Sequence, residues 1–190
     1  MRYARLAVFA LALLAAACGR QETGSHATDI TGAMPALDFS LTRAGDGKAV
    51  GAGDYRGRVV LLYFGYTHCP DVCPTTLANL SEVLDKLGSR AGDVRVLFVT
   101  VDPARDTPAL LAGYVKSFAP QVDGLRGTPD QLAALARRYR VAYAVTAGPP
   151  YEVMHSNAVF VFDRTGRARL VATATDDVAG LAADVGKLLE

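Results

Sequence analysis

Cys69 and Cys73, four positions apart, are the residues of this 190-residue chain best suited to do chemistry. They stand in Gly65-Tyr66-Thr67-His68-Cys69-Pro70-Asp71-Val72-Cys73-Pro74, where an apolar run gives way to an amphipathic stretch. A disulfide closing so short a loop would stabilise the fold little, because the entropic gain grows with loop length. The pair is therefore read as chemical. Four positions of separation bring two sulfurs onto one side of a helical turn, near enough to share a metal ion or to join as a disulfide. The amides and dipole of a following helix favour thiolate over thiol, and Pro70 and Pro74 stiffen the turn. Two thiolates suit Cu(I), Zn(II) or an iron–sulfur centre. Only Cys18 remains beyond the pair, which excludes a four-cysteine cluster within one chain. A third ligand must come from elsewhere. His155, just before an apolar run, is the leading candidate, whereas His68 adjoins Cys69 and is expected to point away. Two thiolates and an imidazole form a set that Cu(I) accepts and that can also hold Cu(II); zinc would want a fourth ligand or a water. The competing chemistry is thiol–disulfide exchange, in which one thiolate attacks a substrate disulfide and the other resolves it.

The elements that must position these residues are legible from periodicity. Val59 to Phe64 is a continuous run of β-formers, as expected of a strand buried on both faces. The Cys motif follows it, and a helix from near Pro74 to Leu87 is expected from Leu77, Leu80, Val83, Leu84 and Leu87, with Gly88 as the stop. Val94 to Val101 reads as a second buried strand and Val122 to Leu125 as a weaker third. Thr107-Pro108 and Thr128-Pro129 each offer a capping hydroxyl followed by a first-turn proline, and so open two more helices. Thr146 to His155 reads as a loop, then Asn157–Phe162 and Ala168–Thr173 as a hairpin about Asp163-Arg164-Thr165-Gly166, and Asp177–Leu189 as a closing helix. An earlier hairpin joins Asp38–Thr42 to Lys48–Val50. This order gives an α/β class and a thioredoxin-like fold: a central mixed sheet with helices on both faces and an N-terminal hairpin. A flavodoxin-like sheet would not end in a hairpin. In such sheets ligands gather at the carboxyl ends of the strands, where Cys69 and Cys73 stand.

The first residues read as an export signal: Arg2 and Arg5, then an apolar Leu6–Ala17, too short to span a bilayer. Small residues before Cys18 resemble a bacterial lipobox, so residues 1–17 are expected to be a signal peptide and Cys18 a lipidated N-terminus. That places the chain outside the cytoplasm, where disulfides persist. Residues 18–34 read as a polar tether, with His26 solvated, and residues 35–190 as the folded domain. Lys and Arg total 20 against 19 Asp and Glu, with no run of like charge, so nucleic acid is not expected as a partner.

Three segments together resemble a known family. The ten-residue Cys motif, Val101-Asp102-Pro103-Ala104-Arg105-Asp106-Thr107-Pro108, and Tyr151-Glu152-Val153-Met154-His155-Ser156 are similar to those of the Sco (SenC) family, over roughly Pro35 to the C-terminus. The resemblance implies a membrane-tethered, thioredoxin-fold copper chaperone for cytochrome c oxidase, with copper on Cys69, Cys73 and His155. The implied partner is the copper-site subunit of the oxidase, together with another periplasmic copper chaperone or a thiol reductant. An alternative role is reduction of that subunit's cysteines by Cys69 and Cys73 as a redox pair. The family often has Asp before the histidine; here it is Met154, expected to fill a packing gap. Asp71 is expected to tune charge or to serve the turn. Asp102, Arg105 and Asp106 are expected to form a salt-bridge network at the same rim, with Tyr66 packed nearby.

Overall fold

The computed structural model describes residues 26–190; the expected signal segment and Cys18 lie outside them. Among the described residues no helix is long and apolar enough to cross a membrane. Ten strands run in chain order: β1 (Thr28–Asp29), β2 (Ser40–Arg43), β3 (Ala49–Gly51), β4 (Val59–Gly65), β5 (Val94–Thr100), β6 (Val122–Arg126), β7 (Tyr143–Thr146), β8 (Glu152–His155), β9 (Val159–Phe162) and β10 (Ala168–Ala172). The four α-helices among the described residues are α1 (Val72–Leu87), α2 (Pro108–Lys116), α3 (Pro129–Arg138) and α4 (Val178–Lys187). Eight strands form one mixed sheet in the order β1-β10-β9-β4-β5-β6-β2-β3. Its centre, β4-β5-β6, is parallel, and β9 and β10 extend it antiparallel from β4.

Every position of β4 is buried, which explains why its sequence is a run of apolar residues with no alternation. The crossovers β4-α1-β5 and β5-α2-β6 step in the same direction, so right-handed connections place α1 and α2 on one face of the sheet. There α2 sits so close to β6 that a Cβ on Gly124 would stand 2.8 Å from Leu111 Cγ. The helix α4 packs against α1. On the opposite face Tyr139, which closes α3, packs its ring on Phe160 and Phe162. The expected caps form: Thr107 Oγ1 accepts the Leu110 N–H, and Thr128 with Gln131 makes a reciprocal capping box.

Two segments differ from the sequence reading. Residues 146–155, expected as loop, include most of a separate two-stranded hairpin of β7 and β8, with Tyr143 opposite His155. Its strands have four residues each and flank Gly148-Pro149-Pro150, so turn-forming residues mask a short period-two signal. The expected tether 18–34 contributes a strand, for β1 pairs with β10 at the sheet's edge. Asp184 accepts the backbone N–H groups of His26 and Ala27, and the His26 ring, exposed as expected, also pairs with Asp177 at 2.8 Å.

Candidate metal centre

The site lies where β4 ends. Gly65 closes the strand, residues 66–71 form a turn, and α1 opens at Val72, so Cys73 occupies the first turn of the helix; the sequence had placed the helix start near Pro74. Cys73 is fully buried, and its sulfur rests on Gly65: an added Cβ there would lie 2.9 Å from Cys73 Sγ and 2.5 Å from Phe98 Cε2. A glycine is needed for this close approach, since its backbone has no positive φ. Cys69, half-buried at the mouth, accepts the Cys73 N–H at 3.4 Å. Both cysteines are free thiols.

His155 ends β8 and faces the sulfurs. Its Nδ1 lies 2.9 Å from the Ser156 carbonyl, which can only accept, so Nδ1 carries the proton and Nε2 keeps a lone pair. That Nε2 stands 3.2 Å from Cys73 Sγ. One ligand atom from each of Cys69, Cys73 and His155 lies within 4.8 Å of the other two. Two sulfurs and a tautomer-fixed imidazole converging this closely are a soft donor set able to hold a thiophilic ion.

The two thiols differ in character. Burial pushes the Cys73 thiol up to about 12. Burial also acts against Cys69 ionising, but hydrogen bonds from the backbone N–H groups of Asp71 and Cys73 outweigh it and bring its pKa below the usual thiol value. Cys69 is thus the readier thiolate and the more accessible one. Burial lowers the pKa of His155 and so keeps its imidazole neutral, the form that can coordinate.

Two carboxylates hold the walls of the site. The Asp106 side chain is fully buried and accepts three hydrogen bonds, from the Thr67 N–H at 3.0 Å and from the Thr67 and Thr100 hydroxyls at 2.6 Å each. It therefore ties the Cys turn to the end of β5. The expected three-member salt bridge is thus divided: Arg105 pairs with Asp102, and Asp106 takes neutral donors. The Tyr151 hydroxyl donates to Asp102 at 2.8 Å, and the Arg105 guanidinium sits 3.9 Å over the Tyr151 ring. These contacts fasten the His155 hairpin to the loop after β5.

The remaining sequence candidates fall as follows. His68 turns to Thr67 and Asp106 and stays outside the donor cluster, as expected. Tyr66 lines the site, its ring edge-on to His155 at 5.7 Å. Asp71 is exposed and has no side-chain hydrogen bond to the helix it precedes. Met154 fills no gap. Alternation along β8 turns Val153 and His155 inward and leaves Met154 70% exposed at the rim. Spacing alone reveals no role for Tyr63, Gly65 or Tyr151; the one signal, for Gly65, is a glycine at the end of an otherwise bulky apolar run.

A family model described as SCO1/SenC matches residues 28–190. The mitochondrial SCO2 homolog of Bos taurus is 41% identical over 174 residues, which cover 84% of this chain; the chain spans only 64% of that protein's length. Among solved structures, Arabidopsis thaliana ScoI with copper bound matches at 38% identity and a TM-score of 0.74, over 80% of this chain and 96% of that one. Bradyrhizobium japonicum ScoI with copper bound matches at 39% and 0.72, over 80% and 98%. The match runs from β1 through α4 and includes both halves of the donor cluster, so the chain belongs to the SCO1/SenC family, on a thioredoxin-like fold.

Proposed function

We propose that this protein is a copper metallochaperone that holds copper on Cys69, Cys73 and His155 and delivers it to the dinuclear copper centre of cytochrome c oxidase. The convergence of the three donor atoms within 4.8 Å carries this reading. The copper-bound relatives of similar sequence support the choice of metal. Copper is cargo here, and the residues divide the work of handling it. Cys69, accessible and the readier thiolate, meets the incoming ion; Cys73 and the His155 Nε2 lone pair close on it from the buried side. Both thiols release their protons on binding, and no proton need leave His155. Cys69, half-buried at the mouth, is equally the sulfur an acceptor's thiolate would reach first on transfer.

A second reading rests on the asymmetry of the thiols. An accessible sulfur of lowered pKa beside a buried one of raised pKa is also the arrangement of a disulfide reductant, which would keep the oxidase copper-site cysteines reduced. The partners proposed are the copper-site subunit and another periplasmic copper chaperone or a thiol reductant. The proposed location is the outer side of the cell membrane, anchored by lipid on Cys18 and facing the periplasm. The experiment mixes Cu(I)-loaded protein with the reduced, metal-free copper-site domain. Movement of copper in wild type, lost in His155→Ala while thiol–disulfide exchange persists, supports the chaperone. Exchange without copper transfer in wild type would hand the function to the reductant reading.

A further inference from the structure

Among the described residues, two buried side-chain polar atoms lack a hydrogen-bond partner, the hydroxyls of Tyr63 and Tyr114. Buried hydroxyls are nearly always paired, so an orphan points to strain, an absent partner or a chemical role. The locations of these two are informative. Tyr63 and Gly65 share one face of β4, two positions apart, and Cys73 Sγ rests on Gly65. The Tyr63 ring therefore lies along the same buried wall as the sulfur, edge-on to His155 at 6.1 Å and packed on Phe98 at 5.9 Å. Tyr114 lies one ring further out, 5.6 Å from Phe98. The Tyr63 hydroxyl is near enough to Thr76 and the Cys73 sulfur to interact with both, but neither contact reaches the distance and angle of a hydrogen bond.

The thiol form explains why. Nε2 of His155 carries a lone pair, so the Cys73 S–H donates to it at 3.2 Å. A thiol engaged in this way is a weak acceptor and gives the Tyr63 hydroxyl little to bond. Metal binding changes the sulfur: its proton leaves, the imidazole turns to the ion, and a negative sulfur remains in a fully buried position. A charge there needs donors. We infer that the Tyr63 hydroxyl is held in reserve as the hydrogen-bond donor to the metal-bound Cys73 sulfur, so that the metal-free protein carries an unmade bond that copper completes. Tyr63 is thus a positioning residue that touches the ligand and not the ion. The inference rests on the assignment of Cys73 as a ligand.

The test compares Tyr63→Phe with Tyr114→Phe. Both delete one orphan hydroxyl and leave the ring, and both proteins are examined at full length in reduced form. Measured quantities are Cu(I) affinity by chelator competition, metal-free stability by urea unfolding, and the thiolate-to-metal absorption band with Co(II) as a redox-inert probe. Expected for Tyr63→Phe is a loss of about tenfold in Cu(I) affinity, the size of a lost charge-assisted hydrogen bond. The Co(II) band should move to longer wavelength, and metal-free stability should be unchanged or higher, since no bond is lost in that state. Tyr114→Phe should show a smaller affinity loss. Lower metal-free stability in Tyr63→Phe would mean the hydroxyl is already paired, with Thr76, and overturns the inference. So would unchanged affinity and band, or equal affinity losses in both variants. If wild type itself binds no Cu(I), the proposed function falls first; if wild type binds and Tyr63→Phe binds equally well, only this inference falls.

Discussion

Gly65→Ala is the smallest change that tests how the buried sulfur is seated. The new Cβ would stand 2.5 Å from Phe98 Cε2, 3.0 Å from Phe98 Cζ and 2.9 Å from Cys73 Sγ. Comfortable separations begin near ~3.5 Å, so the ring must retreat by about 1 Å and the sulfur by about 0.6 Å. Neither has room: Phe98 is fully buried between Tyr63 and Tyr114, and Cys73 is fixed in the first turn of α1. Overpacking of this kind costs about 1–3 kcal/mol. The displacement also exceeds the tolerance of about 0.5 Å within which a ligand constellation works, so Cu(I) affinity should fall by at least about tenfold. The backbone at Gly65 has no positive φ, so the whole effect is steric. Gly113→Ala is the matched control, because Gly113 lies on the exposed side of α2 and nothing lies within 4 Å of its added Cβ; it should stabilise by about 0.5–1 kcal/mol. Urea unfolding and chelator competition read both quantities. A Gly65→Ala protein with wild-type affinity and stability would refute the claim that the sulfur sits on the strand end.

Three further outcomes follow from the same geometry. Asp106→Ala leaves the Thr67 N–H and two hydroxyls without their acceptor at a buried position, and should destabilise by about 3 kcal/mol by urea unfolding; a loss below about 1 kcal/mol would show that the turn holds itself. Tyr151→Phe removes the hydroxyl bond to Asp102, so amide exchange across Glu152–His155 should quicken, while that of α3 stays unchanged. His155 and Cys73 each contribute one limb to the pH dependence of the metal-free protein. Because the pKa of His155 in the fold lies below the ordinary 6.5, the unfolded chain takes up the proton first, so stability falls as pH drops below 6.5, by at most about 1.4 kcal/mol per unit. Because the Cys73 thiol is raised from 9.0 to about 12, the unfolded chain loses its proton first and stability falls again above pH 9. Urea midpoints of wild type and His155→Ala at pH 5.5 and 7.5 check the acid limb: His155→Ala should lose less than wild type between the two.

The parts of this molecule that were legible in sequence are those whose signal is local. A strand such as β4, buried on both faces, shows itself as an unbroken apolar run, and α2 and α3 announce themselves by a capping threonine and a proline. Cys69, Cys73 and His155, which the fold brings together, could be singled out because cysteines are few, because His155 stands just before an apolar run, and because the segments around them resemble the Sco family. The seating of those donors was not legible. The contact of Gly65 with Cys73, and the orphan hydroxyl of Tyr63 beside the same sulfur, depend on how β4 and α1 meet, which no spacing encodes. The division of labour between Asp102 and Asp106 was likewise hidden, since adjacent acids and an arginine suggest one network whichever partners they choose. Exposure of Met154 follows from β8 being a strand at all, and a four-residue strand beside Gly-Pro-Pro reads as loop.

The central claim is that three side chains hold one copper ion, and copper stoichiometry of the reduced protein tests it most directly. Wild type and the Cys69→Ala, Cys73→Ala and His155→Ala variants would be loaded with Cu(I), passed through a desalting column and assayed for retained metal. The account predicts one copper per wild-type chain, with little retained in any of the three variants. A wild-type chain that retains no copper, or a Cys73→Ala chain that retains a full equivalent, would contradict it.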